Sequence, residues 1–454
     1  MKKYIYLLVF CLISSSLFSQ NLKRKGFLGV YPVTLDQATA ETLGKPELKG
    51  AVIKRVTENS TASNASVTSN DIITKLNGVK ISTAEELVSE AGKLRKGDKV
   101  EIEVYRGGKI LDLSTTVLEK KKETSPGKVE YLELPFDGGY SRTIVHFPDT
   151  DGPHPAIYYI QGYTCSSIEY NNDNSPFKKL MDEFVKNGFA VYKVEKPNIG
   201  DSMNDTPCDM IDFNVESDLF KKGLQQLMSL KNIDVENIFI YGHSLGGTHA
   251  PIVATGQKIK GVMVYGVGGE SWYDYITRLI LDQTPLYGYT YAQAETYLNE
   301  HREVLYEFFV ENKSPKEIIE NSAKAQEFFT MMLKYDGDEK LMGRHYKFFQ
   351  TLDDTNIAKN WSGVKCPVLA MYGGGDIEAI SDYGAKKIAD IVNQVKPGNA
   401  TYKLIPDTDH AMIKVGTRKE GMDLKLSGQY RQVAQTNFNT EYPQILIEWM
   451  KNLM

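Results

Sequence analysis

Apolar and polar positions along the 454-residue chain follow two rhythms, one before about residue 120 and another from Lys128 onward. In the first stretch, residues 50–56 and 71–76 read as short strands, and Asn77-Gly78 turns the chain tightly into residues 79–81. Thr83 has the chemistry of a helix N-cap, for a helix running through Glu86 and Leu87 to Leu94. Residues 99–105 then alternate as a half-buried strand, and Arg106-Gly107-Gly108-Lys109 leads into a last strand at 110–117. In the second stretch, leading strands at 129–134 and 140–147 precede six apolar runs separated by helical segments. These runs are residues 155–160, 189–194, 238–241, 261–265, 368–372 and 401–405. Continuous apolar strands alternating with helices predict a mostly parallel sheet covered on both faces. Residues 271–360 interrupt that alternation. Tyr291, Ala294, Tyr297, Leu298, His301, Val304, Leu305, Phe308 and Phe309 recur there at helical spacing, which predicts a helical insert with this stripe as its core or, alternatively, as the lining of a pocket.

The ends and junctions add to this picture. Lys2 and Lys3, an apolar run from Tyr4 to Ile13 and small residues up to Ser19 are expected to be a signal peptide, residues 1–19. The run is shorter than the roughly 20 residues a bilayer span requires, and Cys11 lacks the small-residue context of a lipid-attachment site. An exported protein, periplasmic or secreted and without a stable membrane anchor, is therefore expected. Residues 120–127, charged and then Ser-Pro-Gly, read as a linker between units at 21–119 and 128–454. The two sides differ in charge. Residues 21–123 carry 18 basic against 14 acidic side chains, net +4, whereas residues 124–454 carry 33 against 44, net −11. An overall formal charge of −5, with 41% apolar and 24% charged residues, excludes a dominant polybasic surface and hence nucleic acid as the main partner.

Candidate chemistry centres on Gly242-His243-Ser244-Leu245-Gly246. Gly-x-Ser-x-Gly alone is a weak signal, but here it follows a strand and opens a small-residue helix, as a nucleophile elbow requires. A serine hydroxyl needs a base oriented by a third group. Of seven histidines, only His410 lies on a loop after the final sheet strand. Asp376 follows the preceding strand, with Glu270 and Glu378 as rival acids. The order Ser244, Asp376, His410 is the one expected of this architecture. Backbone N–H groups of Leu245 and of Tyr163, in Gln161-Gly162-Tyr163, are the expected oxyanion donors. Such a site needs no metal or cofactor. Cys165 and Cys208 both follow strand ends near the site. They either remain thiols or pair; pairing is expected in an oxidising compartment, while Cys366 is expected to be a buried apolar residue.

Two resemblances gather these readings. The order of Gly26-Phe27-Leu28-Gly29-Val30, Gly50-Ala51-Val52, Asn70-Asp71-Ile72-Ile73, Asn77-Gly78 and Gly97-Asp98 with Arg106 resembles a PDZ domain of bacterial periplasmic proteases. It departs from that pattern at Ser66 and Asn70, where glycine is usual. The resemblance implies a loop, Gly26, Phe27, Leu28 and Gly29, whose N–H groups hold a peptide C-terminus, beside a strand open to β-augmentation. A packing or gating role is the alternative. Residues 128–454 resemble an α/β-hydrolase of the serine aminopeptidase, esterase and acyl-hydrolase branches, in which the insert forms a cap over the site. Gln161 replaces the commoner His, and Glu195-Lys196-Pro197-Asn198 replaces the Asp-x-Arg-Gly start of the following loop. The implied activity is cleavage of an ester or amide through an acyl-enzyme. A peptidase, or an inactive binding protein on the same fold, are the alternatives. Because the catalytic residues all lie beyond Lys128, the second unit alone is expected to act on small esters.

Overall fold

The computed structural model describes residues 22–454, so the expected signal peptide lies outside the described residues. Strands β1 (Val30–Thr34), β2 (Ala51–Val56), β3 (Ile72–Leu76), β4 (Val79–Lys80), β5 (Lys99–Arg106) and β6 (Lys109–Thr116) build one antiparallel sheet. Its order is β1-β2-β3-β5-β6, with β4 beside β3, so β1 is an edge. Asn77 and Gly78 both take positive φ, 50° and 78°, which suits the twist of a two-residue hairpin. Thr83 caps the helix Ala84–Gly92 by accepting from Glu86 N–H at 3.2 Å. Ile53, Ile73, Leu76, Leu87, Val100 and Val104 close a small core between sheet and helix. Ser66 and Asn70 sit at φ 65° and 72°, the left-handed conformation that explains glycine at such turn positions; Asn tolerates it well, Ser less so.

The second sheet has eight strands: β7 (Lys128–Phe136), β8 (Gly139–Phe147), β9 (His154–Ile160), β10 (Ala190–Val194), β11 (Ile233–His243), β12 (Gly261–Tyr265), then β15 (Val368–Gly373) and β16 (Ala400–Ile405). Between β12 and β15, a two-residue hairpin, β13 (Lys340–Leu341) and β14 (Arg344–His345), lies within the insert. The order is β16-β15-β12-β11-β9-β10-β8-β7, with β8 antiparallel to both neighbours and all other pairs parallel. The apolar runs are continuous because both faces are buried. Tyr158 and Ile160 enter one core while Ile157 and Tyr159 enter the other, each fully buried aliphatic contributing about 1.5–3 kcal/mol. This order and direction of strands is the α/β-hydrolase fold.

The insert is helical, with Trp272–Arg278, Tyr291–Phe309, Pro315–Asn321, Ala323–Met331, Tyr346–Asp353 and Ile357–Ser362 as its α-helices. Leu298, Val304, Leu305, Phe308 and Phe309 of the apolar stripe face its own core, against Phe328, Phe329 and Phe348. Tyr291, at the start of that helix, is exposed.

The segment 120–127 differs from a solvated linker. Glu123 is 4% exposed, accepts from Lys193 Nζ at 2.6 Å and from Tyr170 N–H at 2.5 Å, and meets His146 Nε2 at 2.6 Å. Burial alone would raise its carboxyl, but Lys193 and His146 hold it at about 2. The cause is Lys193 itself, a cation on the fully buried strand β10 that requires a buried anion. Arg24, just before the first sheet, is likewise inserted into the second unit. It donates to Asp201 (2.5 Å), to Glu169 (2.8 Å) and to Lys120 C=O (2.8 Å). Arg142 meets the same two carboxylates and Glu195 at 2.8 Å, and both guanidinium groups lie over the Tyr131 ring, 4.5 and 4.9 Å from its centroid. The two units are thus joined through buried charge.

Candidate active site

Strand β11 delivers Gly242 and His243 to a sharp turn before the helix Gly246–Ala254. Ser244, at the apex, has φ 55°, a conformation rare for a residue with a Cβ. The turn is held by Ser244 N–H to Tyr265 C=O (2.8 Å) and Gly247 N–H to Ser244 C=O (2.8 Å). Strain of this kind is retained where the surrounding structure over-determines it, and it projects the hydroxyl off the end of the sheet.

His410 lies on the loop after β16, and its Nδ1 is 2.7 Å from Asp376 Oδ2. Asp376 is wholly buried after β15, and its other oxygen accepts from the N–H groups of Glu378 (2.8 Å) and Ala379 (2.9 Å). Burial opposes ionisation of both groups. Their mutual attraction outweighs it, lowering the carboxyl and raising the imidazole from their ordinary values. The His410 loop is braced from three directions. His243 Nε2 donates to His410 C=O at 2.8 Å, Tyr265 OH donates to Asp409 C=O at 2.6 Å, and Tyr430 OH donates to Asp409 Oδ2 at 2.5 Å. Burial, reinforced by His410, pushes His243 down to about 3, so it stays a neutral donor. A Cβ on Gly266 would lie 2.7 Å from His410 Nδ1, so glycine is what lets the chain leaving β12 come this close to the pair. Ser244 and His410 line the same cavity, yet no hydrogen bond joins Ser244 Oγ to His410 among the described residues. In sites of this kind that contact commonly tightens only when substrate binds.

The loop after β9 approaches the serine from the other side. A Cβ on Gly162 would fall 2.8 Å from Ser244 Cβ, so the missing side chain is what permits the approach. Leu245 and Tyr163 both line the cavity, and neither N–H has a partner among the described residues. The two departures from the family pattern brace this loop. Gln161 donates to Val194 C=O at 3.3 Å. Lys196 donates to Gly162 C=O at 2.7 Å and to Tyr163 C=O at 3.3 Å. Arg344, from the insert's hairpin, adds a bond to Tyr163 C=O at 3.1 Å, and the Tyr163 hydroxyl donates to Met342 C=O. Cys165 and Cys208 are bonded, with Cα atoms 5.8 Å apart, and tie this loop to the one following β10. Cys366 is half-buried rather than fully buried, with burial raising its thiol to about 11.

The cavity has a volume of about 530 Å³ and a largely apolar lining, including Tyr159, Phe177, Trp272, Tyr275, Leu279 and Met342. None of the Tyr291–Phe309 stripe lines it; the insert contributes other residues. Both rival acids border the cavity but have partners of their own. Glu270 pairs with Arg278 through both oxygens (3.0 and 3.2 Å), and Glu378 pairs with Lys425. Neither hydrogen-bonds His410. Asp376, Glu378 and His410 cluster closely enough to suggest a cation site, but His410 Nδ1 is already engaged by Asp376.

In the first unit, the Gly26–Gly29 loop is narrower as a donor set than its sequence suggests. Gly26 N–H is spent on Leu94 C=O and Phe27 N–H on Leu118 C=O, both 2.8 Å, because this segment pairs with the residues that follow the helix 84–92 and those that follow β6. Leu28 and Gly29 N–H have no partner among the described residues.

Residues 26–117 match the PDZ domain family. The chain is 31% identical to "Probable serine protease do-like" of Buchnera aphidicola across 111 residues, 24% of this chain. It is 33% identical to "Probable periplasmic serine endoprotease DegP-like" of a Marinomonas species across 105 residues, 23% of this chain. The chain spans only 22–23% of the length of these relatives. Among solved structures, an esterase of Pyrococcus furiosus is 14% identical with a TM-score of 0.44, covering 74% of this chain and 96% of its own. Est1E from Butyrivibrio proteoclasticus is 12% identical with a TM-score of 0.40, covering 67% and 98%. What the chain's own strand order and direction define is the fold, that of an α/β-hydrolase, preceded by the unit that matches the PDZ domain family. Among the described residues no helix is long and apolar enough to cross a membrane.

Proposed function

We propose that the protein is an exported serine hydrolase that cleaves an ester or amide bond of a small substrate through an acyl-enzyme. The observation that carries this reading is a strained Ser244 opening onto the same apolar cavity as a His410–Asp376 pair. Ser244 Oγ attacks the carbonyl carbon while His410 Nε2 takes its proton. Asp376 keeps Nδ1 protonated and stabilises the imidazolium; Leu245 and Tyr163 N–H groups receive the developing oxyanion. His410 then returns the proton to the leaving group, and water repeats the sequence to release the acid. A cavity of about 530 Å³ is of the size that encloses small ligands, which favours a small apolar ester over a polypeptide. The peptidase reading draws on the PDZ domain, in which Leu28 and Gly29 N–H are free to bind a carboxylate beside the open edge of β1. Pro32 withholds one donor from that edge, so an added peptide strand pairs less completely there. Export is supported by the Cys165–Cys208 bond and by relatives described as periplasmic.

The test pairs aryl esters of varied acyl length with aminoacyl and peptide anilides. Ester turnover together with fluorophosphonate labelling, both abolished by Ser244→Ala, is the expected result. Turnover that survives the substitution overturns the assignment, and anilide turnover exceeding ester turnover selects the peptidase.

A further inference from the structure

Behind the oxyanion loop lies a buried charge cluster that the triad does not use. Lys196, Glu216 and Arg344 have side chains 0%, 0% and 1% exposed. Glu216 accepts from Lys196 Nζ at 2.9 Å and from Arg344 at 2.7 Å, and it meets His249 Nε2 at 3.2 Å. His249 is also bonded through Nδ1 to Ser217 Oγ at 2.8 Å. Its pKa is lowered by burial, so it adds no charge at neutral pH. Two cations therefore share one anion, leaving a net positive charge in a buried position. Both cations spend donors on the oxyanion loop: Lys196 on Gly162 C=O, and Arg344 on Tyr163 C=O.

We propose that Lys196, held by Glu216, is a positioning residue that orients and polarises the Gly162–Tyr163 amide as an oxyanion donor, with Arg344 fixing the next carbonyl from the insert. The inference rests on the hydrolase reading above. Gly162 C=O and Tyr163 N–H belong to one planar, trans peptide group, so they point in opposite directions. A cation on the oxygen therefore aims the N–H away from itself and draws electron density from the nitrogen. Hydrogen bonds in such a chain strengthen one another, and a low-dielectric site enlarges the effect. Burial lowers the Lys196 ammonium to about 8 and Glu216 opposes the fall, so the group is charged at neutral pH. Charge on the oxyanion exists only in the tetrahedral species, so the benefit belongs to the transition state and not to substrate binding. The Glu195-Lys196 departure from the Asp-x-Arg-Gly pattern thereby acquires a function. Arg344 gives the insert a direct hold on the same loop.

The experiment compares Lys196→Met, Lys196→Gln and Lys196→Arg in the full chain, with p-nitrophenyl acetate as substrate and phenylboronic acid as the tetrahedral mimic. Losing an oxyanion donor outright costs about 10²–10³-fold in kcat. Losing only its orientation and polarisation should cost Lys196→Met roughly 10–100-fold in kcat, with KM within about twofold. Phenylboronic acid should bind more weakly by a similar factor. Lys196→Arg, which restores a cation, should recover activity. Lys196→Gln, which keeps a donor without charge, should fall between. Removing Lys196 still leaves Glu216 paired with Arg344, so the fold is expected to survive. If Lys196→Met nevertheless does not fold, the Gln and Arg variants decide the matter alone. A kcat unchanged in the neutral variants, or a loss confined to KM, overturns the proposal. A wild-type protein inert toward every ester would instead overturn the hydrolase reading.

Discussion

Replacing Arg24 by Met tests whether the two units are coupled by buried charge or merely tethered. Arg24 is 4% exposed and lies between Glu169 and Asp201, whose side chains are 1% and 2% exposed. Without it, Glu169, Asp201 and Glu195 keep the guanidinium of Arg142 as their one buried arginine partner, with the half-exposed Lys120 3.5 Å from Glu169 and Lys25 N–H donating to Asp201 at 2.7 Å. Breaking a buried ion pair by removing one partner costs about 3–5 kcal/mol, because the remaining charge stays desolvated. Met retains most of the apolar stem, so little of this loss comes from packing. Burial raises the Glu169 and Asp201 pKa values, but Arg142 and Arg24 outweigh it and hold both low. Depressed carboxylates stabilise the fold above their unfolded pKa, and that stability is lost as pH falls through the folded value. The penalty of Arg24→Met should therefore be full at pH 7 and shrink toward pH 3. Urea unfolding of both proteins at the two pH values measures it. A difference below about 1 kcal/mol at pH 7, or one that does not change with pH, would refute the buried-pair argument. The same contacts bear on the active site. Glu195 accepts from Ile168 N–H at 3.2 Å and from Ser167 Oγ, and both residues line the cavity. A fragment beginning at Lys128 would lack both Arg24 and Glu123. It should be less stable than the same unit in the full chain.

Three further outcomes are expected. Asp376→Asn should lower kcat by roughly 10⁴-fold, the scale seen when a triad acid loses its role, whereas Glu270→Gln should be far milder; the reverse ranking in ester assays would move the acid to Glu270. His410 must be neutral to accept a proton and its pKa is raised, so activity should fall with decreasing pH through a limb lying above 6.5, read from kcat/KM against pH. Intact-mass analysis with alkylation before and after reduction should show two thiols released by reductant. Separated by 43 residues, Cys165 and Cys208 close a loop whose cross-link contributes about 4 kcal/mol on chain-entropy grounds, so Cys208→Ser should lower Tm measurably.

Sequence alone determined what local rules control. All eight strands of the second sheet were legible because burial on both faces writes continuous apolar runs, and the hairpin at Asn77-Gly78 was legible because its turn demands positive φ. Ser244, Asp376 and His410 could be named because each follows a strand end in a fixed order along the chain. The insert was readable as helical, but not which of its residues would reach the cavity. Its long stripe faces inward, while Trp272, Leu279 and Met342 come from short helices and a hairpin with little periodicity. The charge network was invisible for a different reason. Lys193 in an apolar run signals that a buried anion must exist, yet nothing in the sequence selects Glu123, 70 positions away, from the other acids. Arg24 and Asp201 are separated by 177 residues, and Arg344 and Tyr163 by 181. A Coulombic pair or a donor on a distant carbonyl leaves no period in the chain. Only the packed fold, by excluding water, decides which charges must meet.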